Sequence, residues 1–269
     1  MRRALHVAVG LGLGLVLTGC IGGGDFGRPY RASVDETRPL AATGELSLEN
    51  TNGSVHLVAW DEAKVRVEAV KRARSERALE ELKVEIEAEG DRVSVRTRYP
   101  RPHWMGGAGS VEYRVSVPRG ARVRVGTVNG RVEVRDVSGI VRASTVNGSV
   151  EVTGAGSAVE ASAVNGGVEV DVARVDPSGR SDLSTTNGSV TLTLPRDANA
   201  DVEAHTVNGS VRCDFDLADA RQSRRKIQGR IGSGGARFEI GTVNGSAHID
   251  RGLSAPASQP PAEAPAAGR

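Results

Sequence analysis

From residue 44 onward the chain alternates apolar and polar positions almost without interruption, and one dipeptide punctuates the alternation. Asn-Gly occurs at Asn52-Gly53, Asn129-Gly130, Asn147-Gly148, Asn165-Gly166, Asn187-Gly188, Asn208-Gly209 and Asn244-Gly245, with gaps of 77, 18, 18, 22, 21 and 36 residues. Short runs such as "SVEV", "GVEV", "SVTLTL" and "SAHI" follow these turns. Period two marks a β-strand with one buried face. Val150 and Val152 therefore face inward, and Ser149 and Glu151 outward. Before the turns the inward set is Val141/Ala143/Thr145, and it recurs as Val123/Val125/Thr127, Val159/Ala161/Ala163, Val202/Ala204/Thr206 and Phe238/Ile240/Thr242. A spacing near 20 residues signals a repeat architecture. The gap of 36 reads as two 18-residue units, and the gap of 77 as about four units with an insertion.

Each unit of 18–22 residues holds two strands and two turns, the second turn at "DVSG", "TGAG" or "DPSG". Asn-Gly supplies a positive φ at low cost, as tight turns need. Two all-β arrangements fit. In an antiparallel β-meander each Asn-Gly is a hairpin. In a single-domain β-solenoid each unit is one coil, and equivalent residues stack about 4.8 Å apart. Likeness between equivalent positions favours the solenoid: Thr127, Thr145, Ala163, Thr185, Thr206 and Thr242 all stand two places before Asn. Such residues are neighbours in a solenoid, where the Asn side chains can also bond in a row. In a meander they have no direct reason to match.

One segment breaks the pattern. Ala78, Leu79 and Leu82 predict a short helix over 75–82 with Ser75 as its N-cap, placed to cap the open end of the stack. Strands over 83–88 and 92–98 follow, around a turn at Gly90-Asp91. Aromatic residues make up only 3% of the chain, which suits the slim interior of a coil lined by Val, Ala, Thr and Ile.

The amino terminus is of another kind. Arg2 and Arg3 precede an apolar run from Ala4 to Leu17, too short to span a membrane but laid out as an export signal. Its close, Leu17-Thr18-Gly19-Cys20, resembles a bacterial lipoprotein cleavage box. That resemblance implies a diacylglycerol on the Cys20 thiol, cleavage after residue 19 and an acyl chain such as palmitate on the new amino terminus. Two or three chains anchor stably where one does not. Ile21 is not the Asp that resembles an inner-membrane retention signal, so outer-membrane delivery is the expectation if the source has two membranes. Residues 20–43 read as a flexible tether, 44–252 as one β-repeat domain, and 253–269, rich in Ala and Pro, as a disordered tail.

Loss of residues 1–19 removes Arg2 and Arg3 and no acidic residue, leaving 33 basic against 33 acidic side chains. That balance excludes the basic surplus a nucleic-acid partner requires. With Cys20 lipidated, Cys213 is the remaining thiol and no intramolecular disulfide can form. Its place in "SVRCDFD", alternating with Val211 and Phe215, reads as a buried, inert thiol.

The order of a lipobox, "LSLENTNGSVHL", "DRVSVRTRYP", "YRVSVPRGARVRVGTVNGRVEV" and then "TLTLPRDANADVEAHTVNGSVRCDF" resembles the bacterial putative-adhesin family of β-strand-repeat envelope proteins, a β-helical domain of unknown function. The likeness covers nearly all of residues 44–250. It implies the fold more specifically than any activity, since a fold hosts many functions.

Catalytic chemistry finds little support. His56, His103, His205 and His248 lie on polar faces or in a loop, and none is paired at metal-ligand spacing. Ser181 beside Asp182 lacks a nearby histidine or a nucleophile elbow. Glu133, Glu151 and Glu169, spaced by 18, would stack into an acidic ladder, with Glu160 and Asp171 also outward. Such a ladder is either relieved by Arg131, Arg135 and Arg142 or bound to a cation. The loop "YPRPHWMGGAGS" gathers Tyr99, His103, Trp104 and Met105, either as a protruding binding loop or as aromatics folded back over the core. The expected function is non-enzymatic, without catalytic, metal or cofactor residues. An envelope lipoprotein would present a rigid β-surface to cell wall, glycan or protein partners, with self-association through exposed coil ends. A periplasmic regulatory or assembly factor is the alternative, and a β-helical carbohydrate-active enzyme ranks lower.

Overall fold

The structure, a computed structural model, describes residues 29–99 and 109–252. The expected signal, Cys20, the tail, and His103, Trp104 and Met105 lie outside the described residues. In chain order the elements are β1 (Tyr30–Pro39), β2 (Glu45–Glu49), β3 (Val55–Trp60), β4 (Lys64–Ala73), α1 (Glu76–Glu81), β5 (Lys83–Glu89), β6 (Arg92–Arg98) and β7 (Ser110–Pro118). Then follow β8 (Arg122–Asn129), β9 (Val132–Arg135), β10 (Val141–Asn147), β11 (Val150–Ala155), β12 (Val159–Asn165), β13 (Val168–Val172), β14 (Arg180–Asn187) and β15 (Val190–Leu194). The last are β16 (Ala200–Asn208), β17 (Val211–Cys213), β18 (Ala218–Gln222), β19 (Lys226–Ile231), β20 (Ala236–Asn244) and β21 (Ala247–Arg251).

These strands build two sheets. Sheet A runs β1-β4-β7-β3-β9-β11-β13-β15-β21-β17, and sheet B runs β18-β19-β16-β20-β14-β12-β10-β8-β2-β6-β5. A strand of sheet B, a corner and a strand of sheet A make one coil, and eight coils stack in parallel. Their order is β6/β7, β2/β3, β8/β9, β10/β11, β12/β13, β14/β15, β20/β21 and β16/β17. Parallel pairing decides for the solenoid against the meander: Val141 lies beside Val123 on one side and Val159 on the other.

The predicted inward rows are buried. Val123, Val125, Val141, Ala143, Val159 and Ala161 line the middle coils, and Tyr113, Leu46, Leu82, Ile227 and Phe238 fill the coils toward the ends. Side chains of Val and Ala size let two sheets close tightly, while the ends need bulk to fill the space between them. Each threonine before an Asn-Gly does more than pack. Thr145 Oγ1 donates to the Gly130 carbonyl at 2.9 Å, Thr185 to Gly166 at 2.7 Å, Thr242 to Gly188 at 2.9 Å and Thr206 to Gly245 at 2.8 Å. These bonds run from one coil to the next through an otherwise apolar interior.

The corner glycines are required for two reasons, the positive φ expected of them and the approach of the neighbouring coil. Gly148, Gly166, Gly188 and Gly245 have positive φ, between 151° and 158°, as the sequence predicts. A Cβ on Gly148 would lie 2.1 Å from the Gly130 carbonyl oxygen, and one on Gly166 would lie 1.7 Å from that of Gly148. Close approach of successive coils therefore excludes any side chain at the corner.

Several expectations are corrected. Residues 30–39, expected inside a flexible tether, form β1, which pairs antiparallel with β4 along its whole length. Its inward side carries Glu36 and Arg38 beside Ala32 and Val34, which hides the apolar period. The long gaps are not filled by whole units alone. Between Asn52 and Asn129 the chain leaves through β4, α1 and β5 and returns as one coil, β6/β7, stacked outside β2/β3. After β16/β17 it makes the β18–β19 hairpin and inserts β20/β21 between β14/β15 and β16/β17.

The helix forms with Ser75 accepting from the Ala78 amide at 3.2 Å. It buries none of its six residues and serves as the crossing from sheet A to sheet B. Antiparallel strands, not the helix, close the stack. The sheet edges are blunted by familiar devices: inward charges on β1, charged residues along β5, three-residue length in β17 and a register shift in β18. Self-association through exposed coil ends is thereby disfavoured.

Candidate binding surfaces

The Asn-Gly corner gives the molecule its longest polar feature. Nδ2 of Asn208 donates to Oδ1 of Asn244 at 2.9 Å, Asn244 to Asn187 at 2.8 Å, Asn187 to Asn165 at 2.9 Å and Asn165 to Asn147 at 3.0 Å. Asn147 donates to Asn129 and Asn129 to Asn52, both at 2.8 Å. Every amide points the same way, so the chain of bonds is polarised along the stack. At its end Nδ2 of Asn52 donates to the Gly109 carbonyl at 3.5 Å, and the Asn52 backbone N–H donates to the Tyr99 hydroxyl at 2.9 Å. The predicted turn residues thus all meet in one ladder whose role is structural.

Tyr99 belongs to the core side of this end. Its hydroxyl lies 2.9 Å from Asn50 Oδ1, which also accepts from Thr97 at 3.0 Å, and Thr97 is 2.6 Å from the Tyr113 hydroxyl. Burial pushes both tyrosine hydroxyls above their ordinary range. Tyr99 is therefore folded back, not offered by a protruding loop. A shallow depression of about 510 Å³ opens beside this cluster, lined by residues including Asn50, Thr51, Arg96, Thr97 and Arg98.

On sheet A, Glu133, Glu151 and Glu169 stack in register as expected. His56 continues the row, with Nδ1 at 2.7 Å from Glu133, and Arg135 also pairs with Glu133. The hydrogen bond from His56, with Arg135 assisting against a smaller burial penalty, holds the Glu133 carboxyl below its usual range. Arg131 reaches Glu151 at 3.7 Å. Arg142, expected to relieve this ladder, lies on sheet B and pairs with Glu160 at 2.7 Å. No three carboxylate, His or Cys side chains converge at metal-binding geometry among the described residues.

Ser181 is buried, and its hydroxyl accepts from the Val159 amide at 3.0 Å. Cys213 is half-buried, and burial raises its thiol.

The sequence reading missed a second charged row, on the outer face of sheet B. In register across the eight coils it reads Glu203, Glu239, Asp182, Glu160, Arg142, Arg124, Ser47 and Ser94. Lys226 holds Glu203 at 2.8 Å and Arg180 holds Glu239 at 3.0 Å. Asp182 and Arg124 have no hydrogen-bond or ion-pair partner among the described residues. Burial, then Glu239 and Glu160, push the Asp182 carboxyl up. The row could have been found by applying the 18–22-residue spacing to the strands before each turn.

A family model described as Toastrack DUF4097 matches residues 44–250. No curated protein matches the chain. Among solved structures, similarity extends to a putative cell adhesion protein from Clostridium sporogenes, at 9% identity and TM-score 0.45, over 82% of this chain and 100% of that one. A putative lipid binding protein from Parabacteroides distasonis is 10% identical with TM-score 0.39, over 84% and 98% of the two chains. A putative adhesin from Bacteroides fragilis is 9% identical with TM-score 0.35, over 81% and 97%.

Proposed function

The chain belongs to the Toastrack DUF4097 family, and from that premise we propose a non-enzymatic envelope lipoprotein that displays a rigid two-sheet surface for binding. The observation that carries this reading is the disposition of polar groups. Asparagines and threonines run in ladders along the stack, each bonded to a neighbouring coil, and carboxylates such as Glu160 and Glu239 stand in rows beside arginines. Catalysis needs groups converging on one reacting atom, whereas ladders repeat one chemistry over a long flat face. Cell wall, glycan or an envelope protein would meet such a face.

Acyl chains on Cys20 would provide the anchor, and no cofactor would be needed. Ten residues separate Cys20 from Tyr30, a reach of about 35 Å at full extension. Because β1 lies at one end of sheet A, that end would face the membrane and the β16/β17 end would point away. Metabolic labelling with a palmitate analogue tests the anchor: incorporation lost in Cys20→Ala supports it, and unchanged labelling refutes it. Protease shaving of intact against opened cells tests display. Digestion of intact cells supports surface adhesion, and protection until opening leaves binding partners to be sought inside the envelope.

A further inference from the structure

We propose that the outer face of sheet B is a self-association surface, and that two copies pack face to face about a twofold axis parallel to the strands. The inference goes beyond the display reading, because it names the occupant of one face as a second copy of this chain.

Three parallel rows run along that face. The charged row ends in four acidic side chains on one half of the stack and has its two arginines just across the midpoint. The next row is small over the central coils, where Gly241, Ser184, Ser162, Ser144 and Gly126 are in register, and is flanked by His205, whose ring lies over Gly241, and by Glu49 and Arg96. The third row is apolar, with Val128, Val146, Val164, Val243 and Val207 exposed by 37–53%. Thr186 stands between Val164 and Val243 in this row, and the exposed valines on either side of it are surface that association removes from water.

A twofold axis along the strands reverses coil order and preserves position along each strand. Val146 then meets Val164 and Val128 meets Thr186, Ser144 meets Ser162 and Gly126 meets Ser184, and the charged row meets itself reversed. The midpoint of the eight coils falls between β10 and β12. Around it, Glu160 faces Arg142 of the second copy, and Asp182 faces Arg124 of the second copy. The row's two charges that lack a partner are therefore placed to satisfy each other twice. The row beyond continues the match: Asp201 meets Arg92 and Arg237 meets Glu45 of the second copy, by the same register. One like-charge contact arises, Arg122 with Arg180 of the second copy. Glu45 lies beside Arg122, and Glu239 already holds Arg180 at 3.0 Å.

The small row lets two sheets approach closely. Three rows at about 6.7 Å and six coils at about 4.8 Å cover on the order of 600 Å² per copy, or roughly 1,200 Å² in total. That clears the roughly 1,000 Å² expected of a specific interface.

The test is a charge-swap cycle on the full chain in detergent, read by sedimentation velocity over a concentration series. Asp182→Arg or Arg124→Asp alone sets like charges opposite each other and should weaken dimerisation at least about tenfold. The Asp182→Arg/Arg124→Asp double variant should restore it to within about threefold. Circular dichroism and melting of each variant confirm that the fold is kept. A wild-type protein that stays monomeric to about 100 μM, or a dimer that ignores both single reversals, overturns the proposal.

Discussion

The threonine row makes the sharpest test of how the stack is held. Thr145 is 4% exposed, and its hydroxyl donates to the Gly130 carbonyl of the preceding coil at 2.9 Å. In Thr145→Val the shape is nearly kept, the bond is lost and the carbonyl is left in an apolar interior. A buried acceptor without its donor costs about 1–3 kcal/mol. The chain supplies the reverse experiment. Ala163 occupies the same row, in register between Thr145 and Thr185. Ala163→Thr should place a hydroxyl against the Gly148 carbonyl, a gain of about 0.5–1 kcal/mol once side-chain ordering is subtracted. Urea unfolding followed by circular dichroism reads both. The midpoint should fall for Thr145→Val and rise for Ala163→Thr at constant slope, since the area exposed on unfolding is unchanged. For a domain of this size about 1 kcal/mol corresponds to roughly 2–4 °C in Tm. If Thr145→Val is neutral while Ala163→Thr destabilises, the row is packing alone and the coil-to-coil hydrogen bonds contribute nothing.

Three further outcomes follow from the same geometry. Gly148→Ala puts a methyl 2.1 Å from a backbone oxygen that cannot move without shifting a whole coil, so the loss should be about 3 kcal/mol or more by urea midpoint; a loss under about 1 kcal/mol would show that coils slide freely. Glu133 is held low by His56 and Arg135, so its contribution is present above the unfolded value of about 4.5 and is lost as pH falls. His56→Ala should therefore lower Tm near neutral pH and converge with the parent in acid, and a difference independent of pH refutes the pairing. Cys213, raised by burial, should react with a disulfide reagent at pH 8 far more slowly in the folded protein than in urea; equal rates would contradict its position.

Much of the coil itself was readable, because it is a local pattern. Alternation placed Val141, Ala143 and Thr145 inward, and the matched threonines and asparagines pointed to stacking. Ser75 marked its helix by a hydroxyl three residues before Ala78. Coil order was not readable, and the reason lies in the repeat itself. The strands "ADVEAHTVN" and "ARFEIGTVN" both end in the same Thr-Val-Asn and both fit beside β14. Any rung can template any other, so the swap of β20/β21 and β16/β17 is decided by the β18–β19 hairpin and by bulk, with Phe238 and Ile240 filling where Val202 and Ala204 would not. β1 was hidden because its inward positions include Glu36 and Arg38. The positive φ of the corner glycines was readable, but the steric pressure between coils was not, because it leaves no trace within a single unit. Asp182 and Arg124 are 58 positions apart, and their kinship appears only when coils are laid side by side.

The arrangement of the ends bears on what the faces do. In a parallel stack every coil templates the next, so an unprotected end would add coils from other molecules without limit. Here each terminal coil is built out of sequence order and covered, on three of the four edges, by antiparallel strands. The fourth edge is only three residues long. Growth along the stack is thus closed, and contact with anything else is left to the two broad faces. Sheet A meets the solvent with its acidic row tied to His56 and Arg135 at one end and to Arg131 further along. Sheet B keeps a row of exposed valines interrupted at Thr186 and two unpartnered opposite charges equidistant from its centre. A surface shaped only for solubility would mix its charges without regard to that centre. Symmetry about the midpoint is what a twofold partner requires of an isologous face, and the charge-swap cycle asks whether the chain uses it.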